Sequence, residues 1–548
     1  MSKKRILVVS ESHKLASGFG NYIKEVLPRL HATGKYEIAE FACYVKSTDF
    51  ENTDWLIYGN APLDGEDEYA KQHENPAIQW GMSRFDHAVL DFKPDICYAM
   101  RDPWMDSYIV DSPLFPFFHF VWMPTVDSAP QKTEWLYMFD KCDGLFAYSE
   151  FGIRTLKEAT NGRMVPVDCA SPAIDHEMFD IIPDKNAHKE SLGIPKDSFV
   201  VGTVMRNQKR KLFADLMRGF KVFLEKAPAE IARKSYLYLH TSHPEKSGWA
   251  ITDLIHEFGL GSKVLCTYKC RACSKFFSSH YRDAITICKH CGNHAAVMPG
   301  VSSGLEYSDL KSIYNVMDLY VQYAICEGFG LPVMEAASCG VPVAAINYSA
   351  MEDTMRWLKG YKIEPNLSRE IETNADRSGA NSDGLVEALL SASKMSELEY
   401  NRKRVETRNA CIERYNWDKT IKALTDYFDK VERKGLEGNW DHPPIINPLP
   451  PMLNDPKISN QQYIEWLYAQ FLQMPDELFG YKMLESLRSL NVGARFGGGN
   501  LAPCNRESLY NEMKNLAERR YAIDGVRAGK LQAPPQRFII EAHNRKKK

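Results

Sequence analysis

Short β-rich runs alternate with helical patterns over the first 435 residues of this 548-residue chain, and that rhythm restricts the fold more than any other feature. RILVVS leads into the helical spacing of NYIKEVLPRLHAT, and YEIAEFACYV, DICYAM, FFHFVWM and GLFAYS follow. A second series restarts at SFVVGTVM, continues through SYLYLHTS, KVLCTY and LYVQYAI, and ends near VPVAAI. Strands spaced by crossover helices build parallel sheets, so two successive α/β domains are predicted. The proline-bearing, weakly periodic stretch from Asp180 to Asp197 marks the boundary between them.

After the second series, NWDHPPIINPLPPMLNDP reads as a stiff linker over 440–457, because proline clusters continue neither a helix nor a ladder. ISNQQYIEWLYAQFLQM and RESLYNEMKNLAERRYAI then carry helical apolar spacing, which predicts a helical appendage over 458–548. Sixty-eight basic residues against 71 acidic ones leave a net charge of -3 and exclude a uniformly basic nucleic-acid coat. Basic charge is instead local. Lys269, Arg271, Lys275, Arg282 and Lys289 oppose only Asp283 between Cys266 and Val297, and the segment from Leu501 to Lys548 is also basic. The N-terminal apolar run ILVV falls short of the roughly 7–15 residues of a secretory core. PLFPFFHFVWMPTV, with its prolines and histidine, is shorter than the roughly 20 residues that span a bilayer. A cytoplasmic protein without a transmembrane segment is therefore expected.

The segment AICEGFGLPVMEAASCGVPVAAI carries the sharpest chemistry. The strand LYVQYAI runs into a Gly-rich turn, Pro332 suits a first helical position, and Gly340 suits the helix end. Backbone N–H groups of Gly328, Phe329, Gly330 and Leu331, at the positive end of a helix dipole, suit a diphosphate. Glu327 and Glu335 flank that turn. Carboxylates beside an anion cradle make sense where they bind hydroxyls, and sugar and ribose hydroxyls fit. A Glu pair at helical spacing is otherwise a solvated face.

This segment resembles the signature of glycosyltransferase family 4, retaining enzymes of the GT-B fold, in which two glutamates are separated by seven residues. The resemblance runs from Arg5 to about Gly435 through SGFGNYIKEVLPRL, AYSEFGIRTLKEA, ASPAIDHEMF, VGTVMRNQKRK, SDLKSIYNVMDLYV and YNWDKTIKAL. It implies two Rossmann-like domains facing a cleft, an acceptor domain over 1–185 and a donor domain over 186–435. It also implies transfer of a sugar from a nucleotide-sugar donor to an acceptor hydroxyl with retained configuration and no catalytic metal. Glu327 then contacts the donor sugar and Glu335 the nucleotide ribose. Arg206 and Lys211, five residues apart, match the pair that neutralises the leaving diphosphate, although Leu212 stands where the family often has Gly. Gly18 and Gly20 match the family's N-terminal glycine loop, and a plain βα turn explains them equally. Asp102, His119 and Asp127 are acceptor-side candidates, with His119 also readable as a core histidine.

Cys270, Cys273, Cys288 and Cys291 form two CxxC pairs fourteen residues apart. Four thiolates at this spacing predict a closed, structural zinc site in a small separate ribbon inserted at 266–297. Tyr268, Phe276, Phe277 and Tyr281 interleave with its basic residues, a mixture that suits either stacking on bases or the ribbon's own packing. The basic ribbon and C-terminal region name a hydroxylated base in DNA, as in viral DNA modification, as the expected acceptor. A glycan or small sugar is the competing acceptor. A sugar-nucleotide epimerase or disaccharide phosphorylase on the same fold, and a non-enzymatic zinc-ribbon nucleic-acid-binding protein, are the other classes left open.

Overall fold

The computed structural model describes residues 3–434 apart from 16, 113 and 301–303, together with 459–471 and most of 486–510. The predicted linker at 440–457 and most of the basic C-terminal region lie outside these described residues. In the first lobe, strands β1 (Lys4–Glu11), β2 (Tyr36–Cys43), β3 (Leu56–Gly59), β4 (Ile96–Ala99), β5 (His119–Trp122) and β6 (Gly144–Leu145) form a parallel sheet in the order β3-β2-β1-β4-β5-β6. Its strands are apolar almost throughout because helices cover both faces.

The second lobe holds β7 (Phe199–Val204), β8 (Ser235–His240), β9 (Val264–Cys270), β10 (Phe276–His280), β11 (Ile285–Ile287), β12 (His294–Val297), β13 (Leu319–Gln322), β14 (Val343–Ile346) and β15 (Tyr361–Ile363). They form one nine-stranded sheet in the order β11-β12-β9-β8-β7-β13-β14-β15, with β10 also on β9. Strands β8, β7, β13, β14 and β15 are parallel, whereas β10 and β12 run antiparallel to β9. The cysteine-bearing segment is therefore continuous with the sheet and not a separate unit. Strand β9 pairs in parallel with β8 from Val264 to Cys266 and then continues past it to Cys270, so sheet and ribbon share a strand.

A hairpin of β16 (Asn366–Arg369) and β17 (Asp376–Gly379) follows. The helix Trp417–Lys430 then returns to the first lobe, with Trp417 5.8 Å from Tyr22 and Phe428 6.0 Å from Tyr36 between ring centres. Within the predicted helical appendage, the helix Asn460–Phe471 is present, but β18 (Ala494–Gly497) and β19 (Asn500–Pro503) form an antiparallel hairpin. The glycines that follow Phe496 supply the turn propensity that a helical reading overlooks. No helix among the described residues is long and apolar enough to cross a membrane.

Candidate active site

The carboxyl ends of β7 and β13 build the centre, as expected where parallel strands end at a crevice. These strands are neighbours, and the loop after β7 runs antiparallel to the segment after β13. Leu212 N–H donates to Tyr323 O (3.0 Å) and Ile325 N–H to Arg210 O (3.0 Å). That pairing carries Lys211 to Glu327, and the two side chains form a buried ion pair. Arg210 Nη1 donates to the other Glu327 oxygen at 3.0 Å and to Cys326 O at 3.2 Å, while Gln322 also donates to Glu327. Burial pushes the Glu327 carboxyl up, but the Lys211 ammonium and then the Arg210 guanidinium more than reverse it, holding the carboxyl at about 2. Glu327 is thus an anion fixed by three side chains.

Its backbone is fixed as well. Ser349, a non-glycine residue at φ 56°, accepts the Glu327 N–H on its hydroxyl at 2.9 Å. This conformation is uncommon outside glycine and clusters at functional sites. Beyond Glu327 the chain turns through Gly330 (φ 88°) into the helix Leu331–Ser338, where Pro332 carries no N–H and the Val333 N–H donates to Gly330 O at 3.0 Å, so the amides that face out from the helix start are those of the turn up to Leu331. Gly328 meets the first lobe directly. A Cβ placed on it would lie 2.7 Å from Thr125 Cγ2, so the turn tolerates no side chain there without displacement. Phe329 packs its ring 5.6 Å from Tyr415.

Glu335 faces a cleft between the lobes, lined also by Tyr22, Glu25, Ala173, Tyr307 and Trp417. Burial pushes its carboxyl up to about 7, against the Tyr314 hydroxyl, which donates to it at 2.5 Å. Gly18 and Gly20 open the helix Gly18–Ala32, where Ser17 Oγ accepts from Gly20 N–H at 3.0 Å. Gly20 is required, since a Cβ there would stand 2.3 Å from Leu15 O, whereas Gly18 has open space.

Other residues singled out by sequence make no bond to Glu327. Arg206 is more than half exposed and pairs with Glu245 at 3.3 Å, so the cation added at Glu327 is Arg210, which spacing alone did not indicate. Leu212 sits at φ −75°, where no glycine is needed. His119 begins β5, at the amino end of the sheet and hence away from the crevice. Its Nε2 lies 2.6 Å from Glu432 O, and Asp143 is 3.6 Å away. Asp127 bridges the lobes instead. It accepts from Arg377 Nη1 of β17 at 2.8 Å, beside Cys326 and near Ala129 O, which accepts from Asp376 N–H at 2.8 Å. Asp102 lies between β4 and the helix Pro103–Val110, and burial and then Asp127 push its carboxyl up to about 7.

The four cysteine sulfurs lie within 4.8 Å of one another, with Cys270 to Cys291 at 3.6 Å and Cys273 to Cys288 at 3.7 Å. The ribbon's aromatic residues do not form an open stacking face. Tyr268 and Phe277 are buried and stack on each other at 5.7 Å, and Tyr281 bonds to Thr252. Packing has used them.

Residues 291–377 match the family model for glycosyl transferases group 1, a span that includes Glu327, the Gly328–Leu331 turn and Glu335. Sucrose-phosphate synthase from Thermosynechococcus elongatus superposes on 78% of this chain and 99% of its own, with a TM-score of 0.55 at 15% identity. The fold is GT-B. A glycosyltransferase from Rickettsia africae shares this GT-B arrangement over 78% of this chain and 99% of its own, at 16% identity and TM-score 0.54. Anabaena HepE, solved with UDP and glucose, matches 78% of this chain and all of its own at 15% identity and TM-score 0.51. In sequence, Sucrose synthase 6 of Arabidopsis thaliana is 29% identical over 169 residues, 30% of this chain and 15% of that protein. The serotype-specific mannosyltransferase WbdA of Escherichia coli is 22% identical over 306 residues, 50% of this chain and 31% of that protein. The chain thus matches less than a third of the length of these curated relatives.

Proposed function

We propose that this chain is a retaining glycosyltransferase that moves a sugar from a nucleotide-sugar donor to an acceptor hydroxyl. The observation that carries the reading is the Glu327 centre, a buried carboxylate held by Lys211, Arg210 and Gln322 at the start of a turn that opens onto a helix N-terminus. The group 1 match over 291–377, which includes Gln322, Glu327 and the turn, and the UDP-bound GT-B neighbour support it. Glu327 accepts hydroxyls of the donor sugar, and Glu335 accepts those of the ribose in the cleft between the lobes. Lys211, Arg206 and the turn amides meet the diphosphate. As the bond from the anomeric carbon to the diphosphate oxygen breaks, charge develops on that oxygen, and fixed cations and amides stabilise it. The acceptor oxygen bonds to the anomeric carbon on the same face, and its proton passes to the departing diphosphate. Configuration is retained.

The reading includes a structural zinc held by Cys270, Cys273, Cys288 and Cys291. A tetrahedron with Zn–S of about 2.3 Å separates its sulfurs by about 3.8 Å, close to the two distances above. The exposed Arg271, Lys275 and Arg282 keep a hydroxylated DNA base as a second acceptor reading. The deciding experiment follows nucleotide release from UDP-, GDP-, ADP- and dTDP-sugars, with and without hydroxymethylated duplex DNA. Donor hydrolysis lost in Arg206→Ala is expected. Equal rates in wild type, Arg206→Ala and Lys211→Ala would remove the mechanistic content of the reading, and DNA binding that is indifferent to salt would remove the nucleic-acid arm.

A further inference from the structure

An aromatic pair stands on the first lobe's side of the crevice, and the reaction above does not use it. Trp104 is 43% exposed, unusual for so large an apolar ring, and lies 5.7 Å from Trp135 at 43° between planes. Trp104 opens the helix that follows β4, and Trp135 closes the short turn Thr133–Trp135 that follows β5. Both therefore belong to the carboxyl edge of the first sheet. This is the edge that reaches Gly328 through Thr125.

The polar groups beside Trp104 include a cluster of acids. Asp102 precedes Trp104 by two residues and makes no capping bond to its helix. Glu11 and Asp127 both add negative charge around it. The guanidinium groups beside Asp102 and Asp127 are committed, Arg101 to Asp106 and Arg377 to Asp127 and Glu370. A phosphate brought here would meet Asp102 and Glu11 with the neighbouring guanidinium groups already paired, whereas a neutral polyol would find a hydrogen-bonding group and a flat apolar surface. A pyranose ring has that character, with an apolar C–H face and a hydroxyl rim, and exposed indole rings offer wide contact at small conformational cost.

We propose that Trp104 and Trp135 form the stacking platform for the acceptor, that Asp102 binds an acceptor hydroxyl, and that the acceptor is a neutral glycoside. The proposal rests on the transferase reading and names the substrate class for it. A hydroxylated base in DNA is the alternative that the test must exclude.

The test measures nucleotide release from the same donor panel, alone and with methyl α- and β-pyranosides of glucose, mannose and galactose, or with a duplex carrying 5-hydroxymethylcytosine. Wild type is compared with Trp104→Ala, Trp135→Ala and Trp104→Phe. The expected result is that a glycoside accelerates release and that each Ala variant raises the acceptor KM roughly tenfold or more, the scale of truncating an anchoring tryptophan. Donor KM and acceptor-free hydrolysis stay at wild-type values, which also shows that the variants fold. Trp104→Phe keeps most of the acceptor affinity. Acceleration by the duplex and by no glycoside, or unchanged acceptor KM in both Ala variants, overturns the platform while leaving the transferase standing. Release from no donor under any condition overturns both, and so marks failure of the underlying reading.

Discussion

Which cations reach Glu327 decides how single substitutions behave. Lys211 and Glu327 are both buried, and removing one partner of such a pair leaves an uncompensated charge at a cost of roughly 3–5 kcal/mol. Lys211→Ala should therefore lose both activity and thermal stability, whereas Arg206→Ala, at an exposed side chain, should lose activity by roughly 100-fold with an unchanged Tm. Calorimetry beside donor kinetics checks the contrast, and a normal Tm in Lys211→Ala would contradict the burial argument. Glu335 gives a pH prediction. Its native pKa of about 7 lies above the ordinary carboxyl value, so the native state holds a proton that the unfolded chain releases. Its stabilising contribution is complete below the unfolded pKa and disappears as pH rises through about 7. Glu335→Gln should gain in Tm relative to wild type between pH 5 and pH 8; a constant difference across that range would refute it. The residue types at this centre were legible in the sequence because the turn, Pro332 and the flanking glutamates are contiguous. Arg210 was not, because spacing along a loop does not say which of several cations the loop turns inward. The antiparallel pairing of 210–212 with 323–325 settles that, and it joins segments more than a hundred residues apart.

At the scale of elements, the cysteine segment changes meaning once β9 is seen to belong to two structures. A metal clip on a separate ribbon would loosen by itself, but here Cys270 is the last residue of a strand whose first residues pair with β8. Tyr238 of β8 also reaches across to Thr267 (3.0 Å) and Ser278. We expect one zinc per chain by elemental analysis. Chelation should then raise hydrogen exchange first in β10 to β12 and next in β9 and β8, with the first sheet unaffected. Protein purified without chelators that contains no zinc would contradict this, as would exchange confined to β10 to β12. The strands of both sheet centres were readable because buried parallel strands are continuous apolar runs. The hairpin β16–β17 was not, since NLSR and DRSG contain a single large apolar residue between them. His119 failed for a related reason: an apolar run shows that a strand exists, but only the register shows which end of the sheet a residue occupies.

At the scale of the whole molecule, that polar hairpin holds the two lobes together beside the candidate site. Arg377 of β17 reaches Asp127 of the first lobe, and the Asp376 and Ala129 backbones bond beside them, so the loop after β5 in one lobe is tied through Cys326 to the turn after β13 in the other. A second tie is made where the helix Trp417–Lys430 crosses back onto the helix Gly18–Ala32. The crossing helix buries apolar rings and fixes the lobes as a pair. The Arg377–Asp127 bridge is polar and partly exposed, which suits a contact that opens and closes as donor and acceptor exchange. Arg377→Ala and Asp127→Ala should each lower kcat while leaving nucleotide affinity within about twofold, because both reach only Cys326 and neither bonds to the Glu327 carboxylate. In the double variant the losses should not add, with a coupling of about 1 kcal/mol expected for a partly exposed ion pair. The reversed pair, Arg377→Asp with Asp127→Arg, should recover part of the rate. Additive losses together with no recovery would show that the two side chains act separately, and the bridge would then be a static contact between lobes positioned by the crossing helix and by the bonds of Glu150, Phe151 and Arg154 to Arg356, Asp353 and Glu352.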